Sequence, residues 1–127
     1  MATIECFEEL EAWKHARQLT RSIYKVTNCA SFERDWGLRT QLQRAAVSIM
    51  SNIAEGFESR TDGLFIEFLG RAKGSSGELR SQLRIALDIE YLPHDQYVSL
   101  DSAARETSRC ISGLMVYLKN NRYPASS

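Results

Sequence analysis

Four long stretches of this chain repeat apolar residues at spacings of three and four, and only Pro93 and Pro124 could interrupt them as prolines. That spacing is the period of an α-helix viewed from one side. The first stretch, residues 8–28, lines up Ala12, Ala16, Leu19, Ile23 and Val26, flanked by Trp13, Thr20 and Tyr24. Its acidic start suits the positive end of a helix dipole. Residues 28–34 break the pattern and read as a loop, after which Asp35 is placed to cap a second helix over 36–57 with the stripe Leu38, Leu42, Ala45, Ile49 and Ile53. Thr61 or Asp62 caps a third, over 62–91, that carries Phe65, Phe68, Ala72, Leu79, Leu83 and Ala86. Pro93 ends that helix and stands at the first position of a fourth, over 94–119, whose stripe is Tyr97, Leu100, Ala104, Thr107, Ile111, Leu114 and Leu118. The polar tail from Asn120 onward reads as frayed.

Four amphipathic helices on short connections bury their stripes most simply as an antiparallel up-down-up-down bundle, so the expected fold is all-α, one domain over residues 1–127. No alternating strand pattern competes. With 43% hydrophobic and 25% charged residues the composition is that of a globular domain, and no apolar run approaches the roughly 20 residues that span a bilayer. The first residues lack the basic and apolar regions of a secretory signal, which makes a cytoplasmic location the expectation and a membrane partner an unexpected one. Cys6, Cys29 and Cys110 form an odd, unpaired set, read as reduced, part-buried thiols.

Within the second helix, Arg44-Ala-Ala-Val-Ser-Ile-Met-Ser-Asn-Ile-Ala-Glu-Gly56 puts Ser48, Asn52 and Glu55 on a face beside the apolar one. Ser and Asn compete with the backbone for hydrogen bonds, so their presence here points to a packing need. The third helix is crossed by Gly70, Gly74 and Gly77, each costing roughly 1 kcal/mol against Ala. A phosphate-cradling loop at Gly74-Ser-Ser-Gly-Glu-Leu79 is disfavoured, because no strand precedes it and neither known glycine pattern is present. An unbroken helix whose glycines share a face and admit a neighbouring helix fits better, since the apolar register carries through from Phe65 to Leu83. Such an approach would join Arg44, Ser48, Asn52, Glu55 and Glu78 in a buried polar network, with plain surface exposure as the competing reading.

Catalytic and metal chemistry find little support. A di-iron bundle needs Glu-x-x-His pairs, and the chain has none. Glu11 with His15 and Glu90 with His94 stand four apart, as surface ion pairs do. No nucleophile sits in a recognisable elbow. No metal and no cofactor is therefore expected. The 16 basic and 16 acidic residues cancel, yet they are unevenly placed. Glu5, Glu8, Glu9 and Glu11 crowd the start, whereas Arg71, Lys73, Arg80 and Arg84 line the third helix, with Arg105, Arg109, Lys119 and Arg122 as an extension from the fourth. These residues form a candidate phosphate-contacting strip, weighed against an ordinary solvated face.

Taken together, Phe7-Glu-Glu-Leu-Glu-Ala-Trp13, the Arg44–Gly56 block, Phe65 to Leu69 and Gly74 to Leu79 resemble the four-helix-bundle proteins encoded in intervening sequences of bacterial 23S ribosomal RNA genes, the S23-like family. That family usually carries Pro where this chain has Met50, so a kink in the second helix is expected to be milder or missing. The resemblance implies a homopentamer. It also implies kinship with the accessory variability determinants of diversity-generating retroelements, where a reverse transcriptase is a partner only for chains encoded beside one. The expected function is a non-enzymatic, homo-oligomeric binding or scaffold protein that takes RNA or DNA through Arg39, Arg71, Lys73, Arg80 and Arg84. A protein-binding adaptor without nucleic-acid activity is the alternative.

Overall fold

In the computed structural model, which describes the backbone of residues 4–126 and side chains through residue 121, the chain builds four helices: α1 (Glu11–Thr27), α2 (Trp36–Glu58), α3 (Asp62–Asp88) and α4 (His94–Ser126). Each helix packs against its sequence neighbour, and α1 closes the ring against α4. The hydroxyl of Thr20 reaches the carbonyl of Ala46 at 3.1 Å, Ser48 Oγ meets Ser75 Oγ at 2.8 Å, and Ser76 Oγ donates to the carbonyl of Ala104 at 3.2 Å. Those cross-links fix three antiparallel registers and give the up-down-up-down bundle.

The predicted stripes form the core, except that in α3 Leu69 is buried where Phe68, which is half-buried, was expected. Ala12, Ala16, Leu19 and Ile23 of α1 meet Leu42, Ala45, Ile49 and Ile53 of α2, Leu69, Ala72, Leu79, Leu83 and Ala86 of α3, and Leu100, Ala104, Ile111 and Leu118 of α4. The buried hydroxyls of Thr27 and Thr107 are satisfied within their own helices, on the carbonyls of Ile23 at 2.7 Å and Ala103 at 2.8 Å. Both expected caps form: Asp35 Oδ1 accepts from the backbone N–H of Leu38 at 3.0 Å, and Thr61 Oγ1 from that of Leu64 at 3.1 Å. Helix α2 runs unbroken through Met50, whose backbone N–H a proline would lack. Among the described residues no helix is long and apolar enough to cross a membrane.

Several boundaries differ from the sequence reading. Residues 7–9 form a separate 3-10 turn, since Leu10 is extended (ψ 128°) and its buried side chain divides the turn from α1. That break lets Phe7 lie against Trp13, ring centroids 5.2 Å apart. The segment read as a plain loop contains a second 3-10 turn, Ala30–Phe32, and buries Phe32 completely. Helix α3 stops at Asp88, before the expected 91, because Glu90 takes the left-handed region at φ 65°. The N–H groups of Tyr91 and Glu90 then close on the carbonyls of Ala86 (2.9 Å) and Leu87 (3.0 Å), a Schellman ending. Pro93 precedes α4 as its cap, its carbonyl accepting from the N–H of Tyr97 at 3.0 Å. Helix α4 continues past 119 to Ser126, so the tail is helical where fraying was expected.

The cysteines also differ, for Cys6 and Cys29 are exposed and Cys110 alone is half-buried. Burial pushes the Cys110 thiol up, assisted by the carboxylates of Glu106 and Glu11. Glu11 pairs with Lys14 at 3.3 Å rather than with His15, and neither histidine makes an ion pair among the described residues.

Candidate functional site

Helices α3 and α4 each present the same spacing to their shared seam. Lys73, Ser76, Gly77 and Arg80 on one side face Arg105, Ser108, Arg109 and Ser112 on the other, and together they line a groove of about 280 Å³. Positions i, i+3, i+4 and i+7 fall on one helix side, so the pattern follows from the helical repeat. Small residues make the floor and long cations the rim.

Hydrogen bonds hold the rim in place. Lys73 Nζ donates to Ser108 Oγ at 3.2 Å and to Ser112 Oγ at 2.8 Å, and among the described residues it has no carboxylate partner. Arg80 Nε donates to Asp101 Oδ1 at 2.9 Å while Arg105 Nε donates to Asp101 Oδ2 at 2.8 Å, so a single carboxylate ties α3 to α4. Burial alone would raise the Asp101 pKa, but the hydrogen bonds from Arg105 and Arg80 together hold the carboxyl below its ordinary range. The same contact raises Arg105 further. Arg109 is engaged by Glu106, Nε to Oε2 at 3.0 Å, and that contact lowers the Glu106 carboxyl. Four cations against two carboxylates leave the groove positively charged.

Of the five predicted phosphate contacts, the fold brings Lys73 and Arg80 into this groove, where Arg105 and Arg109 of the expected extension from the fourth helix join them. Arg84 lies one turn further along α3, its guanidinium 5.2 Å over the ring of Tyr97. Arg71 is elsewhere on α3, paired with Glu67 at 3.1 Å and 4.9 Å over Phe68. Arg39 is distant, donating to Asn28 Oδ1 at 2.9 Å where it ties α2 to the end of α1. Lys119 is exposed, and the side chain of Arg122 lies outside the described residues. The sequence reading does not reach Asp101, Ser108 or Ser112. Their signal was the heptad of α4 repeating the α3 spacing, legible only once the two helices are known to pair.

The proposed polar network forms in part. Ser48 and Ser75 share their hydrogen bond, and Asn52 Nδ2 donates to the Ser48 carbonyl at 2.8 Å and hydroxyl at 3.1 Å. Arg44, Glu55 and Glu78 stay exposed and join no such bond, because burial of a charge is costly where solvent is within reach. Replacing Glu78 by Ala should therefore move the unfolding free energy by less than about 0.5 kcal/mol in a denaturant titration. A larger loss would mean a partner at that carboxylate.

The glycines behave differently from the expected close packing. Gly70, Gly74 and Gly77 are exposed; a Cβ on Gly74 or Gly77 would meet nothing within 4 Å, and on Gly70 only Met115 Cε at 4.0 Å. Close approach occurs at Gly56, where a Cβ would lie 2.8 Å from Phe65 Cδ1 and 2.9 Å from Phe68 Cβ. Among the described residues no three His, Cys, Asp or Glu side chains gather as a metal shell. A cleft of about 650 Å³ at the loop end of the bundle includes Cys29, Tyr91 and His94. There Ser31 Oγ donates to the Tyr91 carbonyl at 2.9 Å and Tyr91 OH to Asp35 Oδ2 at 3.0 Å, so those groups serve to hold the loops together.

Fold and groove define a small antiparallel helical bundle with a basic channel between its last two helices. The chain belongs to the 23S rRNA-intervening sequence protein family, whose model matches residues 8–113. It is similar to the crystal structure of a protein of unknown function from the S23 ribosomal protein family of Bacteroides thetaiotaomicron, at 20% identity and a TM-score of 0.77 over 82% of this chain and 97% of that one. That likeness concerns the fold. None of the curated proteins compared with the chain matches it.

Proposed function

We propose that this protein is a non-enzymatic binding module that holds the phosphate backbone of RNA or DNA along the α3–α4 groove and multiplies that contact as a homo-oligomer, a pentamer by family resemblance. The observation that carries the reading is the convergence of Lys73, Arg80, Arg105 and Arg109 on a serine-floored channel in a chain of zero net charge. Non-specific nucleic-acid affinity comes from neutralised phosphates. A neutral monomer supplies few of them, and repetition by symmetry turns a weak patch into a multivalent surface.

Binding to structured RNA and to duplex DNA should fall steeply with salt, and Lys73→Ala should lower the slope of log K against log salt by about one. Absence of binding to both at low ionic strength would sink the nucleic-acid reading. A second reading, a protein-binding adaptor, is favoured by Tyr24, Trp36, Ile85, Ile89 and Val98, large apolar side chains exposed toward one end of the bundle.

A further inference from the structure

Asp101 is an unusual residue to find beside an anion-binding channel. Its side chain is 13% exposed, yet it contributes a negative charge at the place where the proposed ligand is negative. If the groove worked as a diffuse basic patch, this carboxylate would only weaken it. The geometry indicates otherwise. Each Asp101 oxygen takes the Nε of one arginine, Oδ1 from Arg80 on α3 and Oδ2 from Arg105 on α4. A guanidinium carries five N–H donors in a planar fork, so one held at Nε keeps its terminal nitrogens free and fixed in orientation. Lys73 is steadied by the neutral hydroxyls of Ser108 and Ser112, which leave its charge uncancelled. Arg109 differs, since Glu106 engages both its Nε and Nη2.

Resting on the phosphate-binding reading above, we infer that Asp101 is a positioning residue: it aims Arg80 and Arg105 so that the two guanidinium groups form a clasp for one phosphodiester group of a nucleic acid, with Lys73 set for a second phosphate of the same strand. Lys73 and Arg80 are seven residues apart, about 10 Å along α3 at 1.5 Å per residue, and Arg105 stands across the seam from them. Two guanidinium groups thus meet at one carboxylate from two helices, while the Lys73 ammonium lies further along the seam on Ser108 and Ser112. The lowered carboxyl of Asp101 keeps this arrangement charged at neutral pH. Protonation removes it only as pH falls through that depressed value.

The test rests on sign. Asp101→Asn and Glu106→Gln each remove one negative charge from the same helix, so a diffuse patch would bind more tightly after either change. The clasp predicts that D101N binds a fluorescent single-stranded RNA about tenfold more weakly, the scale on which orienting partners of a binding group act. E106Q, which frees Arg109, should bind as well as the wild type or better. Arg105→Lys keeps the charge and loses the fork, and should weaken binding severalfold; it carries the test if D101N proves unfolded by circular dichroism. D101N or R105K binding as tightly as the wild type would overturn the clasp while leaving groove binding intact. Polyglutamate displacing the RNA at equal charge would overturn the choice of phosphate over carboxylate. A wild-type protein that binds no nucleic acid removes the underlying reading as well.

Discussion

Replacing Phe32 by Ala should destabilise the protein by about 3–5 kcal/mol, the range for emptying a fully buried aromatic site. Phe32 is 0% exposed although it belongs to a three-residue turn between α1 and α2. Its ring meets Tyr91 edge-on, centroids 5.2 Å apart, and Tyr91 in turn bonds to Asp35 and receives Ser31. Truncation would thus leave a cavity beneath two loops and loosen the α1–α2 connection from the α3–α4 one. Domains of this size have total stabilities of about 5–15 kcal/mol, so the loss is a large share. A urea titration with an unchanged slope measures it, and a shift below about 1 kcal/mol would show that the site collapses without harm.

Gly56→Ala is the second large effect, and its sign opposes helix propensity. Alanine favours a helix interior by up to about 1 kcal/mol over glycine. At Gly56 the added methyl would lie 2.8 Å from Phe65 Cδ1, 2.9 Å from Phe68 Cβ and 3.3 Å from the Phe65 carbonyl oxygen. The ring can turn aside, but the Phe68 Cβ and the backbone carbonyl can move only with α3. Overpacking of this kind costs about 1–3 kcal/mol, so the net change should be destabilising. Gly74→Ala should have the opposite effect, a gain of about 0.5–1 kcal/mol, because its methyl enters open space. Denaturant midpoints of the two variants moving in the same direction would contradict the packing described at α2 and α3.

The helical period made the bundle legible because it specifies which side of each helix is apolar, and that side is the one buried, from Ala12 and Ile23 to Ile111 and Leu118. Asp35 and Thr61 were legible as caps for a local reason, their side chains answering N–H groups three residues ahead. What the period leaves open is how each helix is rotated against its neighbours. Gly74 and Gly77 share a face that no helix of this chain covers, whereas Gly56, near the end of its helix, meets the rings of α3. The same freedom decided the cations. Lys73 and Arg71 stand two residues apart and so point to different sides, one toward the serines of α4 and the other to Glu67 on its own helix. Phe32 was hidden because a lone apolar residue has no period.

All of the groove's lining lies between Lys73 and Ser112, within one pair of consecutive helices. Helix pairs adjacent in sequence close over short separations, and bundles made of such contacts fold in microseconds to milliseconds. Among the described residues, the α1–α4 seam is the helix pairing that joins the two ends of the chain. During synthesis α1 and α2 emerge first and contribute nothing to the channel's walls, so the groove can form only once the second half of the chain has followed them.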